Sequence, residues 1–174
     1  MAEYTPEKLV AFRGYKDGTT LVGIVDMEFS GGEFESDEMS GAGISGTIES
    51  PTIGHVKPMT AKVKWRMRTS QSTELDAPTA HNLELRASQQ VRDSAGALST
   101  QPIRVVVQVV PKGGIGTKFE QGKPQDCDAE FAVHYYKEEI NGVETKEIDP
   151  LNNKYVVNGT DYLAGVRSDI GMES

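Results

Sequence analysis

The sequence predicts a mainly β fold: a barrel or sandwich with one or two short α-helices and one long extended loop. Three observations carry this. Apolar and polar residues alternate along most of the chain, the period that places successive side chains on opposite faces of a strand. The pairs Asp17-Gly18 and Asn141-Gly142 each separate two such runs, a tight-hairpin signature, because Gly accepts positive φ. Helical spacing is confined to short stretches, and no repeat of fixed period is present. A length of 174 residues suits a single domain, 1–174, with one core.

Residues 9–16 and 19–29 are apolar-rich runs, expected to pair as a hairpin across Lys16-Asp17-Gly18-Thr19. Residues 30–58 hold Gly31, Gly32, Gly41, Gly43, Gly46 and Gly54 among serines. They form the expected long loop, with strand pairing only around 43–50. Residues 60–69 alternate cleanly, Ala61, Val63, Trp65 and Met67 against Lys62, Lys64, Arg66 and Arg68. Asp76 is placed to cap a short helix with Pro78 in its first turn. Leu83, Leu85, Ala87 and Val91 mark a strand over 83–92, and the valines of 103–110 suit a strand buried on both faces or against a partner.

Residues 112–126 make a Gly/Lys/Pro loop. Along 127–140, Cys127, Ala129, Phe131, Val133 and Tyr135 share one face, with Asp128, Glu130, His134, Tyr136 and Glu138 mostly on the other. Asn141-Gly142 returns a strand at 143–148. Asn158-Gly159-Thr160-Asp161 opens a short C-terminal helix within 160–171, with Leu163, Val166 and Ile170 at helical spacing and Gly171 near its end.

Acids outnumber bases 26 to 18, a net charge of −8. A nucleic-acid binder held by phosphate contacts carries a basic excess instead. No apolar run reaches the ~18 residues a spanning helix needs, and the first residues, Met1 to Lys8, contain no apolar h-region. The expectation is a soluble acidic chain, made inside the cell, with no membrane insertion. Residues 17–56 hold eight acids (Asp17, Asp26, Glu28, Glu33, Glu35, Asp37, Glu38, Glu49) and no Lys or Arg. Residues 57–68 hold five bases (Lys57, Lys62, Lys64, Arg66, Arg68) and no acid. Two readings stand: solvated faces, or a bipolar protein whose acidic patch meets a basic patch on another copy.

Signs of catalysis are few. His55, His81 and His134 lie far apart, with no metal-ligand spacing. Lys112-Gly113-Gly114-Ile115-Gly116-Thr117-Lys118 lacks the Gly-Lys-Ser/Thr order of a phosphate loop, and no helix start follows it. The lone Cys127 excludes an internal disulfide and every multi-cysteine metal site, and its apolar strand face suits an inert buried thiol. Asn158-Gly159-Thr160 matches a glycosylation sequon, but nothing directs this chain to a secretory compartment. No nucleophile is paired with a base. The expectation is a protein that is not an enzyme and takes no cofactor or metal.

Residues 134–172 contain an aromatic strand (Tyr135, Tyr136, Lys137), the Asn141-Gly142 hairpin and Glu147-Ile148-Asp149-Pro150. Val157-Asn158-Gly159-x-Asp161 and Arg167-x-Asp169-Ile170-Gly171 follow. In combination this run resembles the C-terminal end of the major tail tube protein of contractile-tailed phages and the R-type pyocin group. Glu38-Met39-Ser40-Gly41-Ala42-Gly43 resembles, less closely, a family stretch ending in Gly-Ala-Gly, with Met39-Ser40 replacing an aromatic-basic pair.

The resemblance implies a tail-tube-type barrel or sandwich, six copies to a ring, and rings stacked into the inner tube of a contractile tail. It also implies partners: further copies of the chain, the tail sheath protein, baseplate and tail terminator proteins, a tape-measure protein in the lumen, and DNA that passes without specific binding. The implied location is the virion, after synthesis in the host cytoplasm. The loop 30–58, with Glu38, Met39, Gly41 and Gly43, takes the place of one that reaches the neighbouring ring.

Duplex DNA carries about one charge per 1.7 Å, so a basic channel would hold it and an acidic or neutral lining would let it slide. Asp26, Glu28 and Glu35 are therefore expected to line the channel; Asp128, Glu130 and Glu138 either join them or face the sheath. The basic face Lys62, Lys64, Arg66 and Arg68 is expected at a subunit boundary, paired with acids of an adjacent strand or subunit. Alternatives are the tube of a genome-free bacteriocin or secretion machine, a monomeric β-sandwich binding module, and an enzyme with an unrecognised carboxylate site.

Overall fold

The computed structural model describes residues 4–23, 25–114 and 116–172. Its strands are β1 Thr5–Lys16, β2 Thr20–Leu21, β3 Val25–Ser30, β4 Phe34–Met39, β5 Ile48–Val56, β6 Met59–Trp65, β7 His81–Arg92, β8 Leu98–Pro111, β9 Cys127–Ile140, β10 Val143–Asp149, β11 Lys154–Val157 and β12 Thr160–Asp161. Two short helices, α1 Ser70–Glu74 and α2 Ala164–Asp169, complete the mainly β architecture expected from the sequence.

All the described pairing is antiparallel, and the main sheet runs β12-β11-β10-β9-β8-β7-β1-β2. The hub is β9. One of its sides takes β8; the other takes β6 along Cys127–Val133 and β10 along Tyr136–Ile140. Since β6 also carries β3, the sheet forks at β9 and both branches wrap one core, an open sandwich.

Alternation builds that core. Met59, Ala61, Val63 and Trp65 of β6 meet Cys127, Ala129, Phe131 and Val133 of β9, with Val105, Val107, Val109 and Leu83 completing the layer. The Trp65 and Phe131 rings meet edge to face at 6.5 Å. Burying each such large side chain contributes about 2 kcal/mol. The valine strand β8 is buried on one face and half-buried on the other.

Several local expectations are corrected. Asp17-Gly18 does turn the chain, both at positive φ, but β1 pairs with β2 only at Tyr15↔Leu21 and Lys16↔Thr20. The chain then departs at Gly23 (φ +116°), and β3 joins β6 instead. The long loop is a β-hairpin: β4 and β5 form a separate two-stranded sheet with an irregularity between Phe34 and Ser36, and 40–47 make its tip. The first helix starts earlier than expected, at Ser70, because Thr69 and Ser72 close a capping box; Asp76 binds Arg68 instead of capping.

In β9, His134 is one residue too many opposite Val109 and Gln108. This bulge exchanges the faces beyond it. Tyr136, opposite Val107, turns to the core and meets Phe29 edge to face at 5.9 Å. Tyr135 turns outward, and its hydroxyl donates to Glu147 at 2.8 Å. Glu138 consequently lies on the Tyr136 side, not beside Asp128 and Glu130; Tyr136 and Thr145 both donate to it.

Candidate functional site

Charges that the sequence segregates are interleaved by the sheet. On the outer face of β3-β6-β9, Asp26 lies opposite Lys64 and Lys64 opposite Asp128. Glu28 lies opposite Lys62, and Lys62 opposite Glu130. Directly opposed side chains are about 5 Å apart, so the basic strand runs between two acidic ones within a single copy. Lys112 adds a 2.7 Å ion pair to Glu130 and holds that carboxyl below its ordinary 4.5. Asp26, Glu28, Lys62, Lys64 and Arg66 are exposed, as is Glu35 on the arm. Arg68 stands apart from the row: it is part-buried, ion-paired with Asp76 and bonded to Thr117 at 3.1 Å.

A second outward face, across β7-β8-β9-β10, carries a continuous chain of ion pairs. Arg86 binds Glu84 at 2.5 Å, Arg104 binds Glu84 at 2.8 Å and Glu139 at 3.4 Å, and Lys137 bridges Glu139 and Glu144 at 3.3 and 2.9 Å. Glu84 is buried, and its bonds from Arg104 and then Arg86 outweigh that burial, holding its carboxyl below 4.5. Arg86 also lies over the Tyr15 ring at 4.6 Å. Farther along, burial pushes Glu147 upward, but Lys154 at 2.6 Å and the Tyr135 hydroxyl overcome it and leave a net lowering. Basic groups on this face thus already have carboxylate partners.

Among the described residues, besides the two-residue β12 and the margins of the arm, two edges of the main sheet are left open. Strand β1 is paired with β7 on one side; on the other, β2 covers only Tyr15 and Lys16. Residues Thr5–Arg13 are exposed throughout, including Leu9, Val10 and Phe12. Among the described residues, strand β3 is paired only with β6. The two edges approach at Gly14, where an added β-carbon would stand 2.9 Å from Val25 Cγ2, but they form no ladder. Between them lies a groove of about 470 Å³ lined by Leu9, Phe12, Leu21 and Val25, with Arg13 and Asp26 at its sides.

The β4-β5 arm is firmly rooted. Phe34 meets Tyr155 at 5.2 Å between ring centroids, and Gly54 lies on Leu163. The C-terminal motif builds that seat. Asp161 accepts from the Leu163 amide at 3.0 Å and from Arg167 at 2.6 Å, and Arg167 also donates to the Asn153 carbonyl at 2.8 Å. Arg167 holds the Asp161 carboxyl below its ordinary 3.8. Beyond the root the arm bears Glu35, Asp37, Glu38 and Glu49 with no Lys or Arg between 34 and 56. Glu38 is directly opposite Glu49, while Met39, Ile44 and Ile48 are exposed, and added β-carbons at Gly41, Gly43 and Gly46 would enter open space.

The family model described as phage tail tube protein FII matches residues 6–171. The chain belongs to this phage tail tube family. No curated protein matches it. Tail tube proteins are structural, so this chain is a structural protein and not an enzyme; among the described residues, no group of His, Cys, Asp and Glu could hold a metal. The match covers nearly the whole chain, where the sequence motifs lay mainly in 134–172. Sequence reading missed the Glu84–Arg104–Glu139 chain of ion pairs, because strand register alone brings those residues together. The one available signal was that Glu84, Arg86 and Arg104 sit at alternate positions of neighbouring strands.

Proposed function

We propose that this chain polymerises as stacked hexameric rings into the inner tube of a contractile phage tail, the conduit for DNA ejection. What supports this beyond family membership is the pair of open strand edges at β1 and β3. An exposed edge pairs readily with other chains, and closure into a ring removes the hazard. The face bearing Asp26 and Glu28 lines the channel, with Glu35 at the base of the arm. Lys62 and Lys64 neutralise their neighbours there without leaving a basic excess, as sliding DNA requires.

The arm, with Glu38, Met39, Gly41 and Gly43 toward its tip, reaches the neighbouring ring. An isolated two-stranded hairpin is marginal in water, and this one opposes two carboxylates, so a contact at its tip would complete it. Arg66, exposed just beyond the last paired position of β6, is left for a subunit boundary. The tail sheath covers the tube, baseplate and terminator proteins bound its ends, a tape-measure protein fills the lumen before DNA, and the finished protein resides in the virion. Negative-stain microscopy of the concentrated protein should show hollow rods or rings. A chain that remains monomeric at every concentration and beside a baseplate nucleus would refute the proposal.

A further inference from the structure

The charge pattern across the forked sheet stops one strand short. Reading outward from β9, the outer face is acidic (Asp128, Glu130), then basic on β6 (Lys62, Lys64), then acidic on β3 (Asp26, Glu28). There the sheet ends at an open edge. The next strand of this series would be basic on its outer face and apolar on its inner one.

Strand β1 has that description from Lys8 to Arg13; Glu7, just before it, is taken up by Arg92 and Gln90. Its register with β7 sets Lys8 and Arg13 on the outer face, opposite Gln90 and Arg86, and Leu9 and Phe12 on the inner face, opposite Gln89 and Ala87. Among the described residues, neither Lys8 nor Arg13 has an ion pair within 4 Å, whereas Lys16 and Arg92 nearby do. Arg13 instead lies in a row of like charge, opposite Arg86, which is opposite Arg104. On the inner face of β3, Val25, Met27 and Phe29 are buried or half-buried and continue into the core. Within one copy the two edges form no ladder; they meet only side chain to backbone, with Met27 and Val25 packed over Gly14.

We propose that the β1 edge of one copy pairs antiparallel with the β3 edge of the next, with Phe12 beside Met27 and Leu9 beside Phe29 on the inner face, which sets Arg13 beside Asp26 and Lys8 diagonally from Glu28 on the outer one. The inference rests on the tube reading and adds which surfaces meet. The contact is heterologous, one edge of each kind per copy, the type that closes into a ring when the rotation permits. Opposite charge selects the partner edge and the apolar faces hold it.

Two charge-reversed variants test this: Lys8→Glu with Arg13→Glu, and Asp26→Lys with Glu28→Lys. Each alone presents edges of like sign and should raise the concentration needed for assembly roughly tenfold or more. Mixed in equal amounts they should assemble again, as an alternating ring in which every boundary pairs unlike charges. If the second variant does not fold beside Lys62 and Lys64, Asp26→Asn with Glu28→Gln serves instead; it should weaken assembly and flatten its salt dependence. Tubes formed equally well by every variant, or single variants that fail and are not restored by mixing, overturn the edge pairing and leave the tube reading standing. A wild-type chain that never polymerises overturns both.

Discussion

Gly54 at the root of the arm lies directly against Leu163: a β-carbon at position 54 would stand 2.5 Å from the leucine Cδ1. Leu163 is buried, and Gly54 has φ +71°. Both facts oppose a side chain. Gly54→Ala should therefore cost about 2 kcal/mol from crowding and left-handed backbone together. The expected result is a lower urea midpoint with the m-value unchanged.

The Asp161–Arg167 pair holds the same seat from the other side. Both groups are mostly shielded, and Asp161 also caps the Leu163 amide. Asp161→Ala and Arg167→Ala should each cost about 1–2 kcal/mol, the first losing the pair and the Leu163 cap, the second the pair and the bond to Asn153. Thermal unfolding of the two variants measures both losses.

Acid should loosen the protein in a definite window. Glu84, Glu147 and Asp161 all have folded pKa values below their ordinary 4.5, 4.5 and 3.8. A carboxyl lowered on folding contributes its full stability above the unfolded value and loses it as pH falls through the folded one. Stability should thus be level from neutrality to about pH 5 and decline below about pH 4.5. Glu84→Gln should shrink that decline and cost about 1–2 kcal/mol at pH 7, since its arginine partners are half-exposed. Urea titrations across pH give both quantities.

Reversing Lys62 and Lys64 to Glu should damage the subunit before it damages any tube. Each new carboxylate would face an acid on both flanking strands, Glu28 and Glu130 or Asp26 and Asp128. Like charges directly opposed destabilise a sheet, and salt screens them. A melting temperature lowered at low ionic strength and partly recovered at high salt is the expected outcome.

Replacing residues 40–47 of the arm by a short turn should leave the melting curve unchanged, because those residues lie outside the strands and Gly41, Gly43 and Gly46 face open space. Under the proposed function the same variant forms no stacked tubes. Normal tubes would show that the arm does not join rings.

Position by position, alternation and turn chemistry made most strands legible, because a half-buried strand writes its two faces into the sequence. Residues 127–133 are such a case, and their burial follows the pattern. The face exchange at His134 was not legible, since a bulge is a mismatch in length between two strands and has no residue type of its own. The arm reads as a loop in the sequence because both of its faces are exposed for most of its length, so no apolar face is there to alternate with a polar one.

By itself the sequence determined the β class, the family resemblance and the separation of acids from bases along the chain, all properties of local order. Only the tertiary structure decided where those charges act. Antiparallel pairing sets strands distant in sequence side by side, so the basic block becomes the middle stripe between two acidic ones. The same pairing leaves β3, and β1 up to Arg13, as edges, since each has a partner on only one side there. No local pattern records which side of a strand stays bare, because hydrogen-bonding partners are chosen by the whole sheet.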